Sequence, residues 1–70
     1  MPSSVVANIE YEPEHARLTV TFMTGRIYVY FLVPAHVAAE FQAAFSKGSY
    51  FNSCIRDRYT CREITPKMTG

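Results

Sequence analysis

The stretch from Arg17 to Val33 constrains this fold more than any other part of the chain. Arg17 to Met23 alternates, with Leu18, Val20 and Phe22 on one face and Arg17, Thr19 and Thr21 on the other. That period of two marks a strand buried on one side. Arg26 to Val33 is β-branched and aromatic throughout, and only Met23-Thr24-Gly25 separates the two runs. Two such runs joined by so short a loop make an antiparallel hairpin. A chain of 70 residues built around a hairpin has room for one domain. A domain of this size buries only about 60% of the surface its unfolded chain exposes, so its core must be economical.

The length of the hairpin loop sets the side on which two tyrosines fall. A two-residue turn at Thr24-Gly25 would pair Phe22 with Ile27 and place Tyr28 and Tyr30 on the Thr19/Thr21 face. A three-residue loop, a type I turn closed by Gly25 in the left-handed region, pairs Phe22 with Arg26, Val20 with Tyr28 and Leu18 with Tyr30. Thr-Gly is a poor two-residue turn, so the longer loop is favoured. Tyr28 and Tyr30 then share the core face, their hydroxyls at its rim. A register slip of one residue would reverse this.

The remaining elements follow from similar signals. Val5 to Glu12 reads as a first strand with Ile9 and Tyr11 on one face, and Glu12-Pro13-Glu14-His15 as a turn. Pro34 to Phe45 reads as a helix that puts Val37, Ala38, Phe41, Ala44 and Phe45 on one stripe. Gly48 is the expected stop, and Ser49 the expected cap of a second short helix reaching about Asp57. On that helix Phe51, Cys54 and Ile55 point inward, and Asn52, Ser53 and Arg56 outward. Tyr59 to Ile64 suggests a last edge strand, and residues 65–70 a disordered C-terminal tail beyond a single domain of residues 1–64. The expected class is α+β: a small three- to four-stranded antiparallel meander, one main helix packed on one face, and a second short helix. Thr19, Thr21 and Val29 are then left on the uncovered face.

Composition excludes several function classes. Apolar residues make up 49% of the chain and charged residues 19%, which argues against disorder. Met1-Pro2-Ser3-Ser4 has no basic start and no apolar run follows it, and no stretch approaches a membrane span. The expected compartment is the cytoplasm, where Cys54 and Cys61 stay reduced. These two cysteines form no CxxC, and His15 and His36 lie in distant segments, so neither a metal nor another cofactor is expected. For catalysis the signals are poor. Ser46-Lys47-Gly48-Ser49 lacks the order of a phosphate-binding P-loop. Glu10, Glu12, Glu14 and His15 could shuttle protons, but edge strands and turns carry such charges for solubility.

Charge is uneven. Residues 1–45 hold two arginines against four glutamates, and residues 46–70 hold five cations against two acids. Within the basic part, Lys47, Arg56, Arg58 and Arg62 are candidates for phosphate contact. Tyr50 and Tyr59 are candidates for stacking on bases, and Asn52 for reading a base edge. Tyr28 and Tyr30 would join them only if their sheet face were open to solvent. Each residue has a plainer role as well: arginines pairing with Asp57, aromatics in the core, and an asparagine at a helix turn.

The ordered set of pieces resembles the KTSC domain family, known from the C-terminus of some lysyl-tRNA synthetases. The matching pieces begin with Ser4, Ile9-Glu10-Tyr11, Leu18-Thr19-Val20-Thr21-Phe22 and Gly25. They continue through Tyr28-Val29-Tyr30, Val33-Pro34, Ser46-Lys47-Gly48, Tyr50-Phe51-Asn52 and Ile55-Arg56-Asp57-Arg58-Tyr59. The family's central Tyr-x-Tyr is present as Tyr28 and Tyr30. The resemblance implies a small stand-alone or appended module, a suggested link to RNA, and no catalytic residue to carry over.

Two readings stand side by side. In the first, the chain is a non-enzymatic nucleic-acid module, for RNA above all, gripping phosphates through its basic end. In the second, it is a protein-interaction or homodimer module that uses an exposed sheet face or edge.

Overall fold

The computed structural model describes residues 6–64. Val5 and the expected tail over residues 65–70 lie outside the described residues. Four strands, β1 (Val6–Glu12), β2 (Arg17–Phe22), β3 (Ile27–Tyr30) and β4 (Cys61–Ile64), form one antiparallel sheet in the order β1-β2-β3-β4. Between β3 and β4 the chain leaves the sheet for helix α1 (Ala35–Ala43) and helix α2 (Lys47–Tyr50), which runs on into a π-helical turn over Phe51–Ile55. This is the α+β class expected, with four strands, one main helix and a second short one.

The hairpin takes the longer loop. Leu18 faces Tyr30 and Val20 faces Tyr28 across β2 and β3. The Phe22 amide donates to Arg26, and the Gly25 amide returns to the Phe22 carbonyl, both at 2.8 Å. Gly25 has φ +97°, a conformation that side chains with a Cβ rarely adopt. Tyr28 and Tyr30 therefore lie on the face of Leu18 and Val20.

That face is the core. Leu18, Val20, Tyr30, Val33, Ala38, Phe41, Phe51 and Ile55 are buried, and Ile9, Tyr11, Phe22 and Tyr28 pack partly against them. Phe51 joins the layers edge-on, with ring centroids 5.2 Å from Phe22 and 5.8 Å from Tyr30. Among the described residues no helix lies on the other face, where Thr19, Thr21 and Val29 are half-buried.

Val33 closes the end of the sheet near the start of α1. Its amide donates to the Ala16 carbonyl at 2.9 Å, and its carbonyl accepts the Tyr11 hydroxyl at 2.6 Å. The chain reaches this position through two left-handed residues, Ala16 at φ 52° and Leu32 at φ 58°. Leu32 is left 80% exposed, while Val33 is fully buried.

The helical segment departs from expectation in three places. Helix α1 stops at Ala43, because Ala44 turns to extended backbone at ψ 139°. Phe45 therefore leaves the apolar stripe and is fully exposed. Gly48 is not a stop but a buried residue within α2. The cap of that helix is Ser46, whose hydroxyl accepts from the Ser49 amide at 3.2 Å, and not Ser49. The π-helical turn is marked by the Arg56 amide donating five residues back to the Phe51 carbonyl at 2.8 Å.

Candidate functional site

The helical excursion carries Lys47, Tyr50, Asn52, Arg56, Arg58 and Tyr59, but it separates them by role. Asn52 and Arg56 project from the π-helical turn, and Asp57 and Arg58 follow it. All four are exposed. Among the described residues, the ion pairs are those of Glu12 with His15 and Arg17 and of Glu63 with Arg26. Among the described residues no salt bridge ties Arg56 or Arg58 to Asp57.

The other candidates are tied down. Lys47 is half-buried and donates to the Ala44 carbonyl at 3.0 Å, closing the end of α1. It also lines a different hollow, about 240 Å³, beside Val6, Asn8 and Gln42 near the start of β1. Tyr50 stacks on Phe41 at 5.5 Å and 16°, and its hydroxyl donates to Glu40 at 3.0 Å. Loss of solvent around the ring, then that bond, raises its pKa to about 12. Tyr59 is half-buried against the core. Arg62 stands opposite Val29 in the β3–β4 register, so it points to the uncovered face, away from Arg56 and Arg58.

Tyr28 and Tyr30 do not form an open stacking platform. Tyr30 is 3% exposed, so no ring face is free for a base. Burial, then the neighbouring Cys61 thiol, pushes its pKa well up. Tyr28 is half-buried, and its hydroxyl donates to Glu63 at 3.5 Å. The two tyrosines instead line a groove of about 320 Å³ between β3–β4 and the π-helical turn. Phe22, Tyr28, Tyr30 and Phe51 give it an apolar floor, and Arg56, Asp57 and Cys61 a polar rim. This groove was not legible in the sequence, because its walls come from four separate segments. The one available signal was the Tyr-x-Tyr spacing, which puts both rings on one face.

The acidic turn is held by surface ion pairs. Glu12 accepts from Arg17 at 2.7 Å and faces His15 at 3.6 Å, both on the surface. The hydrogen bond from Arg17 holds the Glu12 carboxyl below its ordinary range. Among the described residues, no group of three His, Cys, Asp or Glu side chains is placed to hold a metal. Cys54 and Cys61 are free thiols, and among the described residues no helix is long and apolar enough to cross a membrane.

Comparison with known proteins places this arrangement. A sequence model of the KTSC domain matches residues 2–59. A lysine–tRNA ligase of Nostoc punctiforme is 34% identical over 62 residues, which are 89% of this chain and 11% of the ligase. A lysine–tRNA ligase of a second Nostoc strain is 37% identical over the same length, again with 11% of the ligase covered. The chain thus spans about a ninth of the ligases it matches. An uncharacterized protein of Stutzerimonas stutzeri is 32% identical over 84% of this chain and 83% of its own length. The crystal structure of a KTSC domain protein of Yersinia pestis superposes with a TM-score of 0.82 at 34% identity, covering 91% of this chain and 90% of that one.

Proposed function

The chain belongs to the KTSC domain family, and from that premise we propose that it is a non-enzymatic module that binds single-stranded RNA. The observation that carries this reading is the pair of exposed guanidiniums, Arg56 and Arg58, which make no ion pair among the described residues, the first of them on the rim of a groove floored with aromatic rings. Free cations gain most from phosphate when no internal partner must first be displaced. Exposed Asn52 and half-buried Tyr59 flank the pair in sequence. The relatives named lysine–tRNA ligase support RNA as the polyanion, since there the domain is part of a protein named for tRNA. The module acts in the cytoplasm, where Cys54 and Cys61 remain thiols. Lys47, Tyr50, Tyr30 and Arg62 take no part in this surface, given their placement.

The test is an NMR titration of the labelled protein with a short mixed-sequence single-stranded RNA at low and then physiological salt. Shifts should cluster at Asn52, Arg56, Arg58 and Tyr59 and fade with salt. Losing one phosphate contact in Arg58→Ala should flatten the salt slope by about 0.7. If no shifts appear even at low salt, the reading fails. Concentration-dependent shifts at Ile27, Val29 and Ile64 would then point to association through the uncovered sheet face.

A further inference from the structure

The groove offers more than phosphate contact. At about 320 Å³ it is at the small end of ligand sites, too small for a folded partner but suited to one planar ring. Its floor is aromatic: half-buried Phe22 and Tyr28, which meet edge-on at 5.6 Å, offer the accessible ring surface, and buried Phe51 and Tyr30 back them from below. On its rim Arg56, a fork of donors, follows the π-helical turn directly before Asp57, a carboxylate with two acceptor oxygens. Both are exposed, and neither makes a side-chain hydrogen bond or ion pair within the described residues.

On the RNA-binding reading above, on which this inference rests, we propose that the groove takes a single unpaired guanine base. Guanine alone among the four bases presents two adjacent donors, N1–H and the 2-amino group, on its pairing edge. These match the two oxygens of Asp57. The neighbouring O6 is an acceptor for Arg56. Adenine and cytosine offer one donor group there, and uracil a single donor between two acceptors, so each makes one hydrogen bond fewer to Asp57 than guanine does. The ring itself replaces water over the aromatic floor. Arg58 stays free for the adjoining phosphate.

The experiment measures binding of the full chain to three oligouridylates by fluorescence anisotropy. They carry at one central position guanosine, inosine (which lacks the 2-amino group) or an abasic sugar. The guanosine oligomer should bind about tenfold more tightly than the inosine one, and the abasic one most weakly. Asp57→Asn should erase the difference between guanosine and inosine. Cys61→Phe, which plugs the groove from its rim, should bring all three oligomers to the abasic level. Should Cys61→Phe fail to fold, the exposed Asp57→Asn still decides the matter. Equal, salt-dependent binding of all three oligomers would overturn the groove assignment and leave the RNA-binding module standing. No binding of any oligomer at low salt would overturn both.

Discussion

Gly25 and Leu32 both sit at positive φ, and they should respond in opposite ways to substitution. At Gly25 an added Cβ would meet nothing within 4 Å, so space is no obstacle. The cost is backbone strain alone, and Gly25→Ala should lose about 1–2 kcal/mol. Urea denaturation checks it, through a lower midpoint at an unchanged slope. At Leu32 the strain is already present. Its side chain is 80% exposed and contributes little burial. Leu32→Gly removes about 1–2 kcal/mol of left-handed strain but adds about 0.4–1 kcal/mol of unfolded-state entropy. The expected net is a gain of about 0.5 kcal/mol, read by the same denaturation. A loss instead would mean that Leu32 packs in solution. Neither Ala16 nor Leu32 could be singled out in the sequence, because a non-glycine residue is driven to positive φ only by its surroundings. Here the surroundings are the contacts that bury Val33 and tie it to Ala16 and Tyr11.

The elements were legible in type and less so in their ends. Alternation and the needs of a glycine turn favoured the hairpin, its longer loop and the core side for Tyr28 and Tyr30, and the structure decided that register. The break between α1 and α2 did not. Alanine and phenylalanine suit a helix through Phe45, yet the chain turns at Ala44. There the Lys47 ammonium bonds the Ala44 carbonyl, and the Ser46 hydroxyl caps the next helix. Two serines and a glycine in Ser46-Lys47-Gly48-Ser49 make several cap assignments equally plausible on propensity. Ser46→Ala should cost about 1 kcal/mol and raise hydrogen exchange at the Ser49 amide most. Equal exchange in both proteins would show that α2 is held by the packing of Phe51 and Ile55 alone.

For the molecule as a whole, one consequence lies at high pH. Tyr50 has a folded pKa of about 12 against an ordinary 10.0. The folded state therefore holds this proton more tightly than the unfolded chain does. The contribution is complete below about pH 10 and is lost as pH rises through about 12. Tyr30, also raised, acts in the same direction. The melting temperature should fall over this range, and in Tyr50→Phe it should fall less, since one of the two titrations is gone. An identical fall in both proteins would assign the effect to Tyr30 and the remaining groups.

The sequence by itself determined the local choices: where strands alternate, where a hairpin forms, which residues of the second helical segment face inward, and which family the chain resembles. Backbone propensity and side-chain period act over a few neighbouring residues, so they can be read from one chain. The tertiary structure alone decided which basic and aromatic residues share a surface. It placed Arg62 on the far face of the sheet, drew Lys47 and Tyr50 into packing, buried Tyr30, left Arg56 and Arg58 exposed, and set Arg56 on the rim of the groove. Those outcomes depend on contacts between residues far apart along the chain. Phe22 and Phe51 meet only after the sheet and the helical layer have closed on a common core.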